Sequence, residues 1–249
     1  MPRTWDAAAY HRLSDWQERE GVALIDRLEL RGDETVLDAG CGTGRVTRHL
    51  VERLPRGRVI AVDVSPEMLA IAARTLDPDR VEIVRADLTE LTLDEPVDAI
   101  VSGAVLHWVL DQDRLYERLH AALRPGGRLL AWYAGEGTHE ALYRTADVIA
   151  TEEPFAPYFI RWSLPIVWPS VDETVARLER IGFVDVECRL EPNVLEDVPV
   201  EYFRTLSLSI YLDELPPDLH DQFVERVLAT QARPYATRVN RLYVSARRP

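Results

Sequence analysis

The chain has 249 residues, of which 47% are hydrophobic and 29% charged, as is ordinary for a globular protein with a substantial core. Its formal net charge of −13 argues against a nucleic-acid backbone as substrate, because such binding depends on clustered Lys and Arg. The two cysteines, Cys41 and Cys188, are too few for a disulfide framework and suggest no metal site.

The first segment of the chain is predicted to be helical. In YHRLSDWQEREGVALIDRLEL, apolar residues recur mostly every three or four positions, and Gly32 can end the helix. The N-terminus MPRTWDAAAYHRL lacks the charged and then apolar pattern of a signal peptide, and no apolar run approaches about 20 residues. We therefore expect a cytoplasmic protein that does not associate with membranes.

Strands and helices alternate through the next hundred residues. TVLDAG, GRVIAVDV, VEIVRAD, VDAIVSG and GRLLAWYA read as strands, and GRVTRHLVERL, SPEMLAIAARTL and DQDRLYERLHAAL read as helices. Ser65 is a good N-cap for the second of these helices, and Pro66 suits its first position. This alternation predicts an α/β protein whose mostly parallel sheet is covered on both faces, from Thr35 to Ala134.

The last third adds a helix, SVDETVARLERIGF, a strand, VDVECRL, and a final strand, RLYVSAR. Two insertions, 136–170 and 192–238, interrupt this rhythm, and we interpret them as a cap over the sheet. Cap aromatics would line a cavity for an apolar molecule, with packing of the cap on itself as the alternative. They are Phe155, Tyr158, Phe159, Trp162, Trp168, Tyr202, Phe203 and Tyr211.

A glycine-rich turn follows the first predicted strand. In VLDAGCGTGR, Gly40, Gly42 and Gly44 alternate with other residues, so backbone N–H groups can approach a ligand at the carboxyl end of the sheet. Asp63 and Asp87 end the next two strands, where carboxylates can accept hydrogen bonds from ribose hydroxyls and an adenine amine. Each feature alone is also compatible with a tight turn, a solvated loop or a helix cap, but three at successive strand ends favour a site.

Together these motifs resemble the class I S-adenosylmethionine-dependent methyltransferases. The matching stretches are VLDAGCGTGR, AVDVSPEML, RADL, VSGAVLHWV and LRPGGRLL. The resemblance implies a Rossmann-like seven-stranded sheet with its last strand antiparallel, and S-adenosylmethionine as cofactor with S-adenosylhomocysteine as product. NAD binding is the competitor on this topology, and the G-x-G-x-G spacing and the RPGGRLL turn disfavour it.

The same resemblance assigns cofactor contacts. The methionine moiety would lie at Gly40 and its neighbours, the ribose at Asp63, the adenine near Val64, and the sulfonium beside Gly103. The full set of expected cofactor residues is Tyr10, Asp38, Gly40, Cys41, Gly42, Gly44, Asp63, Val64, Met68, Asp87, Leu88, Ser102 and Gly103. We expect a single domain over 1–249, with a helical cap at 1–31, the cofactor-binding core at 32–135, cap insertions at 136–170 and 192–238, and the final strand at 239–249.

The segments outside this core suggest the methyl acceptor. WDAAAY resembles the N-terminus of trans-aconitate methyltransferases, AYHRLSDWQERE resembles the juvenile hormone acid methyltransferases, and AVLHWVLDQD resembles both groups. In those families a glutamine and a tryptophan indole contact the substrate carboxylate, and the matching residues here are Gln17 and Trp108. We therefore expect a small-molecule enzyme, monomeric or homodimeric, that methylates a carboxylate of a partly apolar molecule.

Alternatives remain open at this point. His107 can serve as a general base in a C- or hydroxyl-O-methyltransferase of natural-product biosynthesis, or it can line or support the site. The chain can also be a cofactor-binding protein without transfer activity. Gln17, Trp108 and Tyr10 can each be ordinary helix or packing residues. A protein or RNA modifier is disfavoured by the acidic charge and the cap.

Overall fold

One mixed sheet forms the centre of the molecule. The computed structural model describes residues 15–249. Its strands are β1 Thr35–Ala39, β2 Arg58–Asp63, β3 Val81–Arg85, β4 Val97–Gly103, β5 Leu123–Ala134, β6 Val184–Glu191, β7 Val194–Leu195, β8 Thr237–Arg238 and β9 Arg241–Arg247. The sheet has seven strands in the order β3-β2-β1-β4-β5-β9-β6, and β7 pairs with β8 separately. β9 runs antiparallel to both of its neighbours, which confirms the predicted architecture.

Nine α-helical segments connect or cover these strands in the described part of the chain. They are α1 Asp15–Asp26, α2 Arg45–Arg53, α3 Pro66–Thr75, α4 Gln112–Ala122, α5 Glu140–Ala150, α6 Val171–Ile181, α7 Val200–Tyr202, α8 Ser209–Leu212 and α9 Pro217–Leu228. As expected, the backbone N–H of Met68 donates to the Ser65 side chain at 3.2 Å and caps α3.

Two element boundaries differ from the sequence prediction. β5 begins at Leu123, because Leu123 pairs with Val97 and the Gly126 N–H donates to the carbonyl of Arg248, so the RPGG stretch joins the strand. The apolar pattern of PVEYFRTLSLSIYL predicts one helical segment, but the structure divides it. The Leu208 N–H bonds the carbonyl five residues back, at Phe203, and this π-helical turn separates α7 from α8.

The sheet buries apolar side chains on both faces. Along β1, Val36 packs with residues of α1 and α2, whereas Leu37 packs with α4 and α6 on the other face. This alternation follows from the two-residue period of a strand. Both faces being covered explains why β1, β2 and β4 are continuous apolar runs.

The cap has a core of its own. Phe155, Phe203 and Tyr211 are almost completely buried against residues of α5 and α9. Phe159 and Trp162 pack on the same cluster, while Tyr158 is exposed. Most of the cap aromatics therefore hold the cap together, and only a few remain to line a cavity. None of the helices in residues 15–249 is long and apolar enough to cross a membrane.

Candidate active site

The glycine turn brings backbone N–H groups to the carboxyl edge of the sheet. Gly40 and Cys41 donate to the Val62 carbonyl at 2.8 and 2.9 Å, and Gly42 donates to Asp63 Oδ2 at 2.8 Å. All three glycines of the turn have positive φ, which glycine adopts without strain. A Cβ on Gly40 would collide with Val105, whereas a Cβ on Gly42 would meet no atom within 4 Å. The turn is therefore packed against Val105 at Gly40, whereas the space next to Gly42 is open.

That open space is a cavity, which we call the glycine-loop cavity. It is lined by Gln17, Glu18, Asp38, Gly40, Cys41, Gly42, Thr43, Arg45, Val46 and Gly103. Asp38 is buried and accepts a hydrogen bond from the Thr47 hydroxyl at 2.7 Å, and burial raises its pKa to about 6. Burial also raises the pKa of the Cys41 thiol, with the Asp38 charge adding to the effect, so the thiol stays protonated.

Among residues 15–249, the other residues expected at the cofactor do not line this cavity, and their environments differ. Burial raises the pKa of Asp63, whose Oδ1 accepts from the Ser65 N–H at 2.9 Å. Asp87 is exposed and accepts from both the backbone and the hydroxyl of Thr89 at 2.8 Å. Ser102 is fully buried and donates to the Ala39 carbonyl at 2.7 Å, so its hydroxyl ties β4 to β1. Met68 and Leu88 are buried, Val64 is exposed, Gly44 begins α2, and Tyr10 lies outside the described residues.

A second cavity, of about 90 Å³, lies between the sheet edge and the cap. We call it the aromatic cavity. Its lining residues are Trp16, Gln17, Ala104, His107, Trp108, Trp132, Ala134, Thr138, His139, Tyr143, Ile166, Trp168, Tyr202, Leu206, Val239 and Arg241. Of the cap aromatics predicted to line a cavity, Trp168 and Tyr202 do so.

The two cavities meet at three elements. Gln17 of α1 lines both of them. Gly103, at the end of β4, lines the glycine-loop cavity and pairs with Trp132 of β5, which lines the aromatic cavity. A Cβ on Gly103 would lie 3.1 Å from the Trp132 indole nitrogen. A small residue is thus needed where the two spaces adjoin.

Buried polar atoms without a hydrogen-bond partner in residues 15–249 concentrate around the aromatic cavity. They include the indole nitrogens of Trp16 and Trp132, Oε1 of Gln17, Nδ1 of His107 and Nε of Arg241. A buried polar atom left without a partner costs about 1–3 kcal/mol. Such a cluster indicates that a polar group of a ligand completes these contacts.

His107 lies in this wall as a buried, neutral side chain. Burial, and to a lesser degree the charge of His139, lowers its pKa to about 3. Its ring stacks near Trp168, with centroids 5.9 Å apart, and its carbonyl accepts from the Val167 N–H at 2.9 Å. Burial lowers the pKa of His139 to about 4 as well, and its Nδ1 lies 2.7 Å from the Thr237 hydroxyl. Neither imidazole is charged at neutral pH.

Comparisons with known proteins agree with this geometry. A family model described as a methyltransferase domain matches residues 36–127. A trans-aconitate 2-methyltransferase of Azoarcus sp. is 42% identical over 90% of this chain and 87% of that protein. One of Methylobacterium nodulans is 32% identical over 98% of both chains. The chain belongs to this family of S-adenosylmethionine-dependent methyltransferases.

A solved structure supports the same assignment. The S-adenosylmethionine-dependent methyltransferase of Mesorhizobium loti is 26% identical and superimposes with a TM-score of 0.54, covering 91% of this chain and 96% of that one. The protein is therefore an S-adenosylmethionine-dependent methyltransferase, and the resemblance read from its motifs is confirmed.

The glycine-loop cavity of this methyltransferase fits the cofactor. Gly42 leaves space where any side chain would project, and the buried Asp38 carboxylate suits an ammonium group. Arg45 lines the same cavity with its Nε donating to Glu18 Oε2 at 2.7 Å. Asp63, which accepts from the Gly42 N–H, keeps acceptor capacity for hydroxyl groups. S-adenosylmethionine bound there supplies a methyl group activated on a sulfonium.

Asp63→Ala is expected to weaken S-adenosylmethionine binding by about 1–3 kcal/mol, because it removes a hydrogen-bonding carboxylate and the partner of the Gly42 N–H. Calorimetric titration measures the change. Asp77→Ala is the matched control, because Asp77 also accepts a backbone N–H two residues on, but beyond the far end of α3. Equal affinity in folded Asp63→Ala and wild type would remove Asp63 from the site.

Several residues that line the aromatic cavity were not predicted from the sequence. Trp132 follows the same strand-end rule as Asp63, and its place near the end of a predicted strand could have revealed it. Trp16 is adjacent to Gln17 and reads as a core residue of the helix. Arg241 gives no local signal, because it reaches α1 only through the fold: its Nη1 lies 2.9 Å from Glu20 Oε1.

Proposed function

We propose that this methyltransferase transfers the methyl group to a carboxylate oxygen of a small, partly apolar acid. The observation that carries the proposal is the aromatic cavity, next to the glycine-loop cavity. There the N–H donors of Trp16, Trp132 and Arg241 are buried and have no partner among residues 15–249. Indole and guanidinium nitrogens can only donate, so the group that satisfies them must accept, as a carboxylate does.

A carboxylate acceptor also needs no strong base. Carboxylic acids ordinarily have a pKa of about 4, so the acceptor is already ionised at neutral pH. Its oxygen forms the bond to the methyl carbon while the carbon–sulfur bond breaks and its electron pair stays on sulfur, so the products are a methyl ester and the neutral thioether. No proton is transferred, and the protein needs only to position the oxygen and exclude water.

The state of His107 supports this reading over the alternative in which it acts as the base. A general base works best when its pKa is close to the operating pH, and burial holds the pKa of His107 at about 3. The His107 ring instead packs between the cap segment and Trp108, and the centroids of the His107 and Trp108 rings are 5.1 Å apart. Its role in the proposal is to shape the cavity.

The relatives add support from their names. Trans-aconitate, the substrate named for the Azoarcus and Methylobacterium proteins, is a carboxylic acid. The substrate named for the relatives and the donors in this cavity therefore both support an acid as the methyl acceptor. The relatives' own substrate is one member of the acid panel that tests the proposal.

The test compares a panel of apolar acids, trans-aconitate and the matching alcohols as acceptors, with the wild type and His107→Asn. The proposal requires methyl esters from acids and no ethers from alcohols. It also requires His107→Asn to keep most of its rate, whereas loss of a general base costs about 10²–10⁴-fold. Preference for alcohols or carbon acids, together with a collapse of the rate in His107→Asn, would establish the base-dependent alternative.

A further inference from the structure

Arg241 occupies an unusual position in the aromatic cavity. It comes from β9, the antiparallel strand, and it is the one Lys or Arg among the residues in 15–249 that line this cavity. Its side chain is 17% exposed, and its Cζ lies 5.3 Å from the centre of the Trp16 ring. A guanidinium that is largely buried against an indole is available to bind an anion inside the cavity.

One N–H group of Arg241 is buried without a partner among residues 15–249. Nη1 pairs with Glu20 Oε1 at 2.9 Å, and the other oxygen of Glu20 accepts from the Tyr243 hydroxyl at 2.7 Å. Nε of Arg241 is buried and has no partner among the described residues. Glu20 thus fixes the guanidinium from one side and offsets part of its charge, while the Nε–H remains unused.

Two indole nitrogens share this property. Those of Trp16 and Trp132 are also buried without a partner in the described part of the chain, and the two rings contact each other with centroids 5.3 Å apart. Three side chains with donor-only groups therefore contact one another in the wall of the cavity: Arg241 lies against Trp16, Trp16 against Trp132, and Trp132 adjoins Gly103 of the glycine-loop cavity. The end of the cavity next to Gly103 is where an acceptor oxygen must lie for methyl transfer.

The rest of the lining that residues 15–249 contribute is uncharged. Beyond Arg241 it contains two neutral histidines, Gln17, Thr138 and otherwise aromatic or aliphatic side chains. Among these residues Arg241 is therefore the cation that an acceptor carboxylate can meet in the cavity.

We propose that Arg241, through Nε and with the indoles of Trp16 and Trp132, binds the acceptor carboxylate. The inference rests on the proposed carboxylate O-methylation and adds the residue that anchors the acid. Arg241 is a positioning residue for the anion, and Glu20 sets how much of its charge the anion meets.

The test is calorimetric titration of 3-phenylpropanoate and hexanoate into the enzyme saturated with S-adenosylhomocysteine. Arg241→Gln is expected to raise the Kd of these acids about 10- to 100-fold, as for loss of a charged hydrogen bond. Arg247→Gln is the matched control, because Arg247 lies on the same strand and also loses an ion pair, with exposed Asp185. The affinity for S-adenosylhomocysteine should stay the same in both variants.

A second variant keeps the test decisive if Arg241→Gln does not fold. Arg241→Lys preserves the charge facing Glu20 but lacks a donor at the position of Nε, so weakened acid binding supports the assignment and unchanged binding overturns it.

The outcomes separate this inference from the proposed function. If 3-phenylpropan-1-ol and hexan-1-ol bind better than the matching acids, and are the compounds that the wild type methylates, carboxylate O-methylation itself fails. If the wild type prefers the acids but Arg241→Gln and Arg241→Lys bind them as tightly as Arg247→Gln does, the proposed function stands and the role of Arg241 is wrong.

Discussion

Replacing Gln17 by alanine is expected to lower kcat/KM for a carboxylic acid about 10- to 100-fold, because a hydrogen bond to an ionised acceptor contributes about 1.5–3 kcal/mol. Gln17 lines both cavities, and its Oε1 is buried without a partner in residues 15–249. Rotation of the amide by about 180° places its NH₂ at the same position, so the side chain can donate to a carboxylate that enters there. Steady-state rates with saturating S-adenosylmethionine measure the loss.

Two comparisons make this prediction specific. Arg19→Ala removes an exposed side chain from the same helix and should leave kcat/KM unchanged. Trp108→Phe, at the other residue that the carboxyl-methylating families match, should lower kcat/KM on acids as well, while the Kd of S-adenosylmethionine stays near its wild-type value in all three variants. If Gln17→Ala methylates acids as fast as Arg19→Ala does, Gln17 is not part of the acceptor site.

The core of the fold could be predicted because its signals are local. Val36 and Leu37 pack on opposite faces of β1, and the strand therefore reads as a short apolar run with no polar face. Ser65 and Pro66 mark the start of α3 by their own chemistry. The cap lacks such signals: the π-helical turn at Phe203 depends on how the segment packs, so the sequence suggested one continuous helix there.

The two cavities of the site differ in the same way in how far the sequence predicts them. The glycine turn and Asp63 follow consecutive strands, and strand ends in a parallel sheet meet at one edge, so sequence alone placed them together. The wall of the aromatic cavity joins α1 to β9 across 221 positions of chain, through Glu20 and Arg241. No periodicity or spacing encodes that pairing, because it depends on β9 being inserted antiparallel between β5 and β6.

The low pKa values of His107 and His139 make the stability of the folded protein depend on pH. Their pKa values are about 3 and about 4 when folded, against about 6.5 in an unfolded chain. Below about pH 6.5 the unfolded state therefore binds protons that the folded state does not bind. The stabilisation present above that pH is lost as the pH falls towards the pKa values of the folded protein. Between about pH 7 and pH 5 each histidine is expected to lower the free energy of unfolding by about 2 kcal/mol.

Asp38 opposes this trend, and a variant isolates the histidine contribution. Burial raises the pKa of Asp38 to about 6, so the folded state takes up its proton first and gains about 1 kcal/mol on acidification to pH 5. The loss of unfolding free energy that His139→Gln causes, measured in urea, should be about 2 kcal/mol smaller at pH 5 than at pH 7. The reason is that glutamine, unlike histidine, takes up no proton when the protein unfolds. Thr138→Val is the matched control: it removes the neighbouring buried hydroxyl, which bonds the Asn240 carbonyl at 3.0 Å, and its cost should be the same at both pH values. If the His139→Gln difference were equally independent of pH, the imidazole would not be held neutral by its burial beside the aromatic cavity.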